Sequence, residues 1–208
     1  MANSGAGRDP GHGTGADRKL DANQAVLPNE TSLLGRAVGE PEAFAAVYDH
    51  YFPRIWNYVR YRVNDAAVAD DLTAAIFERA LTRLRDYDPA RGTFAVWLFA
   101  LARNAVTDFY RRRTRRRWVP LEQIRDLPSD DPQPGEAVME AETRVELLRA
   151  VAALADRERD ILGLKFAGGL TNRRIAKMMG LSESNVAVII FRTIRRLRTR
   201  LEAGSEQG

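Results

Sequence analysis

The sequence predicts an all-α protein made of two small helical domains joined by a flexible linker, the C-terminal one a helix-turn-helix. Three observations carry this. Apolar residues recur at three- and four-residue steps through residues 31–117 and again through 139–201, the spacing that gathers side chains on one face of a helix. No stretch alternates with the two-residue period of a half-buried strand. Between the two periodic regions, residues 118–138 hold Pro120, Pro128, Pro132 and Pro134 with five acidic residues, a composition that disfavours regular structure.

The bulk composition sets limits on function. A hydrophobic share of 45% supports packed cores, yet no apolar run approaches the roughly 18 residues of a membrane span. The N-terminus has no basic-then-apolar secretory pattern, so a cytoplasmic protein with no membrane role is expected. Without cysteine there is neither disulfide nor thiolate metal site, and no cofactor is expected. His12 lies near the N-terminus and His50 is isolated on a helix; with no nucleophile or ligand constellation, the chain does not read as an enzyme. Lys19, Lys165 and Lys177 are the only lysines, so arginine supplies nearly all positive charge. Its planar fork suits phosphates and base edges.

Residues 1–30 are rich in Gly, Ala, Asn and Asp and are expected to form a disordered tail. The first helix gathers Phe44, Val47, Tyr48, Tyr51, Phe52, Ile55 and Val59 on one face; Pro53 inside it should kink or break it. A second helix, starting near the Asn64-Asp65 cap signal, carries Leu72, Ile76, Phe77, Ala80, Leu81 and Leu84. The turn Tyr87-Asp88-Pro89-Ala90-Arg91-Gly92 ends it. The third helix has the most regular stripe: Phe94, Trp97, Leu98, Leu101, Ala102, Ala105, Val106 and Phe109. Beyond the linker 118–138, Val145, Leu148, Val151 and Leu154 open a smaller bundle, followed by Ile161, Leu164 and Phe166 until Gly168-Gly169 breaks the helix. Residues 202–208 form a short tail.

Residues 170–201 read as a helix-turn-helix. Asn172 or Thr171 caps a first helix bearing Ile175, Ala176 and Met179, and Gly180-Leu181-Ser182 makes the turn. Ser182 caps the second helix, whose buried positions are Val186, Ile190, Ile194, Leu197 and Leu201. In such a motif the N-terminal residues of the second helix lie near base edges, here Ser182, Glu183, Ser184, Asn185, Ala187 and Val188. Arg173 and Arg174, with Arg192, Arg195 and Arg196, would hold the DNA backbone. The alternative for Arg195 to Arg200 is a solvated helix end whose cations complement the helix dipole. A second constellation is the six arginines within residues 111–117, whose field a polyanion would relieve. Upstream on the same helix, Trp97, Arg103, Asn104, Asp108 and Tyr110 supply stacking and hydrogen-bonding groups. The bland reading makes Trp97 core, pairs Asp108 with Arg112 and leaves the run as a solvated C-terminus.

In this order the two constellations resemble the extracytoplasmic-function (ECF) subfamily of bacterial RNA polymerase sigma factors, with its regions 2 and 4. The matching words are Ala43-Phe44-Ala45-Ala46-Val47-Tyr48-Asp49, Ala69-Asp70-Asp71-Leu72-Thr73 with Phe77, and Phe94-Ala95-Val96-Trp97-Leu98-Phe99-Ala100-Leu101-Ala102-Arg103-Asn104, continuing to Arg113. The resemblance implies core RNA polymerase as a partner, its clamp helices met by Asp70, Asp71, Leu72 and Phe77. It implies promoter DNA as another: Trp97, Arg103, Asn104, Asp108, Arg111, Arg112 and Arg113, with the loop 86–93, would take the −10 element and a flipped base. Arg173, Arg174, Ser182, Glu183, Ser184, Asn185, Ala187, Val188, Arg192 and Arg195 would take the −35 element. The acidic linker would thread through the polymerase, and an anti-sigma factor is a common partner in that family. Catalysis would belong to the polymerase.

This sequence departs from the family pattern in places. Ala74-Ala75 stands where Gln-Glu is common, Arg174 precedes Ile175-Ala176 where Glu is familiar, and Ala187 and Ile189 replace a common Lys and Arg. At 100° per residue, Val188 points almost opposite the buried face, where it would meet a thymine methyl or a protein surface. The alternatives in function are a helix-turn-helix regulator acting without polymerase, and a sigma-like interaction module.

Overall fold

The computed structural model describes residues 27–63, 65–116 and 137–205. Residues 1–26, Asn64, residues 117–136 and 206–208 lie outside the described residues, and with them nearly all of the expected tail and linker. Every regular element among the described residues is helical: α1 (Glu30–Arg36), α2 (Pro41–Val63), α3 (Ala66–Thr82), α4 (Phe94–Arg116), α5 (Ala137–Ala152), α6 (Asp156–Leu162), α7 (Asn172–Met179) and α8 (Glu183–Ser205).

Helix α2 is the hub. Val47, Ile55, Tyr58 and Val59 on it are fully buried, and it packs against α1, α3 and α4 on one side and against parts of the C-terminal unit on another. The helix runs unbroken through Pro53. Pro53 and Asp49, whose carbonyl loses its donor, are both exposed, so water can replace the missing hydrogen bond. Packed structure begins earlier than composition suggests. Leu27 is buried, and the Tyr51 hydroxyl donates to Glu30 Oε1 at 2.5 Å, which ties α1 onto α2.

Asp65 caps α3 by accepting the Val68 N–H at 3.0 Å. The buried stripe then runs through Thr73, Ile76, Phe77, Ala80 and on to Leu84, while Leu81 is 43% exposed; it lies off the inward face that the apolar count had given it. Helix α4 buries Phe94, Leu98, Leu101, Ala102 and Val106, as the stripe predicts. It also buries Phe99, whose ring meets Tyr58 edge-on at 5.7 Å.

In the C-terminal unit, α6 passes into a π-turn over Gly163–Ala167. The extra residue in that turn rotates the side chains after it, so Phe166 is 40% exposed rather than inward. Gly169 (φ 62°) ends the segment. Thr171 caps α7 through the Arg174 N–H at 3.3 Å, and Ser182 caps α8 through the Asn185 N–H at 3.2 Å. Gly180 between them has φ 66°, the left-handed conformation of a helix C-cap. On α8, Val186 and Thr193 are fully buried, and Ile190, Ile194, Leu197 and Leu201 are half-buried.

Space around Gly180 is open, so a methyl group there meets only backbone strain. Gly180→Ala is expected to lower stability by about 1 kcal/mol, measured by urea denaturation, without altering the helical circular dichroism of the folded state.

Candidate nucleic-acid interface

The N-terminal half of the interface is built on α4. Its first turn rests on an aromatic base: Tyr87 lies 5.4 Å from Phe94 and 5.7 Å from Trp97, and Phe94 lies 5.4 Å from Trp97. The Tyr87 hydroxyl donates to the Gly92 carbonyl at 3.1 Å, pinning the loop 86–93 beside the helix. Trp97 is therefore half-buried, part core and part surface. Asn104 is exposed, and Arg111, Arg112, Arg113 and Arg115 all point to solvent. Asp108 pairs with Arg111 at 3.0 Å, not with Arg112. The run keeps an unbalanced positive field, because one carboxylate faces several guanidinium groups.

On the C-terminal unit, Arg173, Arg174, Ser182, Glu183, Ser184, Asn185, Ala187, Val188, Arg192 and Arg195 are all exposed. Arg173 and Glu183 form a loose pair across the turn at 3.4 Å. Val188 is 45% exposed, and Phe191 beside it is 67% exposed. The outer face of α8 thus starts apolar and ends in arginines. A wheel drawn from Val186 places Val188, Phe191 and Arg195 on one side.

Asp70 and Asp71 are exposed on α3, and the Trp56 indole N–H donates to Asp70 Oδ1 at 2.6 Å. Leu72 is half-buried and lines a cleft of about 410 Å³ with Ala75, Arg79, Asp108, Phe109 and Arg112, so α3 and the arginine end of α4 share one surface. Phe77 is a correction to the expected surface set. It is 3% exposed and packs on Tyr48 at 4.6 Å, so in this structure it supports α3 from inside rather than standing on its surface.

Arg103 departs from the expected position in another way: it faces the second unit. Its Nε donates to Asp160 Oδ2 at 2.8 Å, and the Tyr58 hydroxyl donates to Asp160 Oδ1 at 2.6 Å. Arg62 Nε lies 3.7 Å from the same carboxylate, and Arg62 Nη1 donates to the Asp156 carbonyl at 2.7 Å. Arg54 Nη2 donates to the Gly168 carbonyl at 2.5 Å. Arg54, Arg62 and Asp160 are each about 5–6% exposed. Burial pulls the Arg54 pKa below its ordinary value, and burial followed by the Asp160 charge pushes Tyr58 far above the phenol range. Tyr51 is raised by burial and by its Glu30 partner.

Comparison with known proteins accounts for this arrangement of parts. The family model "Sigma-70 region 2" matches residues 47–116, and "Sigma-70, region 4" matches residues 144–197, together more than half of the chain. The ECF RNA polymerase sigma factor BldN of Streptomyces coelicolor is 32% identical over 166 residues, covering 79% of this chain and 63% of the relative's length. The ECF RNA polymerase sigma factor ShbA of Streptomyces griseus is 29% identical over 187 residues, covering 84% of this chain and 98% of its own. Among solved structures, CnrH in complex with the cytosolic domain of CnrY has a TM-score of 0.62 at 22% identity, covering 84% of this chain and 97% of that one. The sigma factor RpoE of Bartonella quintana, in complex with the anti-sigma factor NepR, has a TM-score of 0.60 at 18% identity, covering 77% and 98%. These two likenesses establish the fold. No described helix is long and apolar enough to cross a membrane.

A raised phenol pKa in the folded state means that its contribution is intact below the unfolded value near pH 10 and is lost as pH rises. Stability is expected to hold up to about pH 10 and to fall above it. Tyr58→Phe should reduce that slope by about one proton, or about 1.4 kcal/mol per pH unit, read from urea midpoints across an alkaline series.

Proposed function

The chain belongs to the sigma-70 family, in its ECF group of RNA polymerase sigma factors, and from that premise we propose how it directs core RNA polymerase to promoters. The N-terminal unit, residues 31–117, engages the polymerase and the −10 element. The C-terminal unit, residues 139–201, binds the −35 element as duplex DNA. The observation that carries this division is the pair of exposed cationic helix faces, the Arg111–Arg115 end of α4 and the Arg192–Arg195 stretch of α8, each beside groups that can read bases.

On α4, Trp97 and Asn104 would capture an unstacked base while Arg111, Arg112 and Arg113 hold the strand by its phosphates. Asp108 orients Arg111. On α8, the exposed cap and first turn enter the major groove, with Val188 and Ala187 offering apolar contact to thymine methyls. Arg173, Arg174, Arg192 and Arg195 fix the register on the backbone. Asp70, Asp71 and Leu72 would meet the clamp helices of the largest polymerase subunit. Ala74 and Ala75 beside them are exposed and lack hydrogen-bonding groups, so that contact leans on the two aspartates. The protein works without chemistry of its own, in the cytoplasm, and an anti-sigma factor is the partner that would hold it idle.

Run-off transcription with core polymerase tests this. A promoter-specific product should appear only when the chain is added; its absence on every fragment of a genomic library would overturn the reading. Asn104→Ala should cut initiation about tenfold or more and leave −35 duplex binding unchanged. Arg192→Ala should weaken duplex binding and lower its salt slope by about one.

A further inference from the structure

The contact between the two units is rich in buried charge. Three arginines of the N-terminal unit, Arg54, Arg62 and Arg103, face the C-terminal unit with Tyr58 among them. They meet a set of acceptors: the Asp160 carboxylate and the carbonyls of Asp156 and Gly168. The match is incomplete. The Nε atoms of Arg54 and Arg62 are buried without a hydrogen-bond partner, and Asp160 approaches Arg62 Nε only to 3.7 Å. Buried guanidinium donors left unpaired are costly. An untethered anion that can sit closer to Arg62 Nε than the Asp160 carboxylate does would satisfy it better.

The closed arrangement is also incompatible with simultaneous reading of two promoter elements. Their centres lie about 25 base pairs apart, or about 85 Å at 3.4 Å per step, whereas the two units here are in direct contact. The units must separate on a promoter, and separation exposes Arg54, Tyr58, Arg62 and Arg103. Arg103 lies on α4 eight residues before Arg111, about 12 Å along the helix, a spacing that two or three successive phosphates of one strand span.

We propose that Tyr58, Arg62 and Arg103 form a phosphate seat for the promoter DNA backbone, and that in the closed chain Asp160 occupies this seat as a stand-in for the phosphate. This rests on the sigma-factor reading and adds Tyr58 and Arg62 to its DNA surface. Asp160 and a phosphodiester present the same pair of anionic oxygens to an arginine fork and a hydroxyl. DNA binding and interdomain closure therefore compete for the same donors.

The structure supplies a way to open the contact without touching a charge. A Cβ on Gly163 would lie 2.8 Å from Cδ2 of the Tyr58 ring, while alanine suits the helical backbone there at least as well as glycine (φ −60°, ψ −46°). Gly163→Ala and Asp160→Asn should each enlarge the full-length chain by small-angle X-ray scattering with helical content unchanged. Each should raise affinity about tenfold for a fluorescent promoter duplex carrying a mismatched −10 bubble. Arg62→Gln added to Gly163→Ala should remove the gain and lower the salt slope by about one. The proposal is overturned if neither opening variant loosens the chain. It is overturned equally if Arg62→Gln in the opened chain leaves the slope unchanged, or weakens binding to core polymerase but not to DNA. Failure of the sigma-factor reading would show separately, as no promoter-specific transcript from the unaltered chain with core polymerase.

Discussion

The Asp160 carboxylate, 5% exposed, is held by a tyrosine 102 residues away and by an arginine 57 residues away. That cluster decides how two otherwise ordinary helical bundles sit together. A buried carboxylate is costly unless it is paired and hydrogen-bonded, and the same holds for the buried guanidinium of Arg62 beside it. Removing either side would leave the other uncompensated, at a cost of about 3–5 kcal/mol. Tyr58 lies so close to the C-terminal unit that a Cβ at position 163 would meet its ring at 2.8 Å. The apolar part of the contact and the polar part therefore close together.

Helix α2 makes this possible because two of its faces are buried at once. One side supplies the core of the N-terminal bundle through Val47, Ile55 and Val59, and another carries Arg54, Tyr58 and Arg62 to the C-terminal unit. Arg54 is steadied within its own unit by the rings of Tyr51 and Phe99, at 5.1 and 5.8 Å. Arg54 is thus positioned before the second unit arrives, a form of preorganisation that lowers the entropy lost on docking. The same preorganisation serves any other anion that reaches the site once the units separate.

Much of the fold is legible in the sequence because its determinants are local. Asp65, Thr171 and Ser182 cap the helices they precede, and Gly180 takes the left-handed turn, each through hydrogen bonds or backbone freedom within four residues. The outward direction of Val188 comes from helical geometry alone. What escapes is non-local. Arg54 and Arg62 read as solvated charges until the second unit covers them, and Thr193 is fully buried where a count of apolar residues has no reason to look. Phe166 turns outward because a π-turn inserts one residue into the register. Phe77 sits within a word shared with a family, yet its apolar ring went to the core, which its residue type favoured all along. Leu27 and Glu30 anchor a segment whose average composition hides them.

The central claim is that one chain has a closed state, held around Asp160, and a promoter-bound state in which its two units are far apart. Because the chain has no cysteine, single cysteines at the exposed positions Thr107 on α4 and Thr199 on α8 accept a fluorophore pair without background labelling. Energy transfer between them should be high in the free protein and collapse when core polymerase and promoter DNA are added together. Unchanged high transfer in a complex that starts transcripts would contradict the claim.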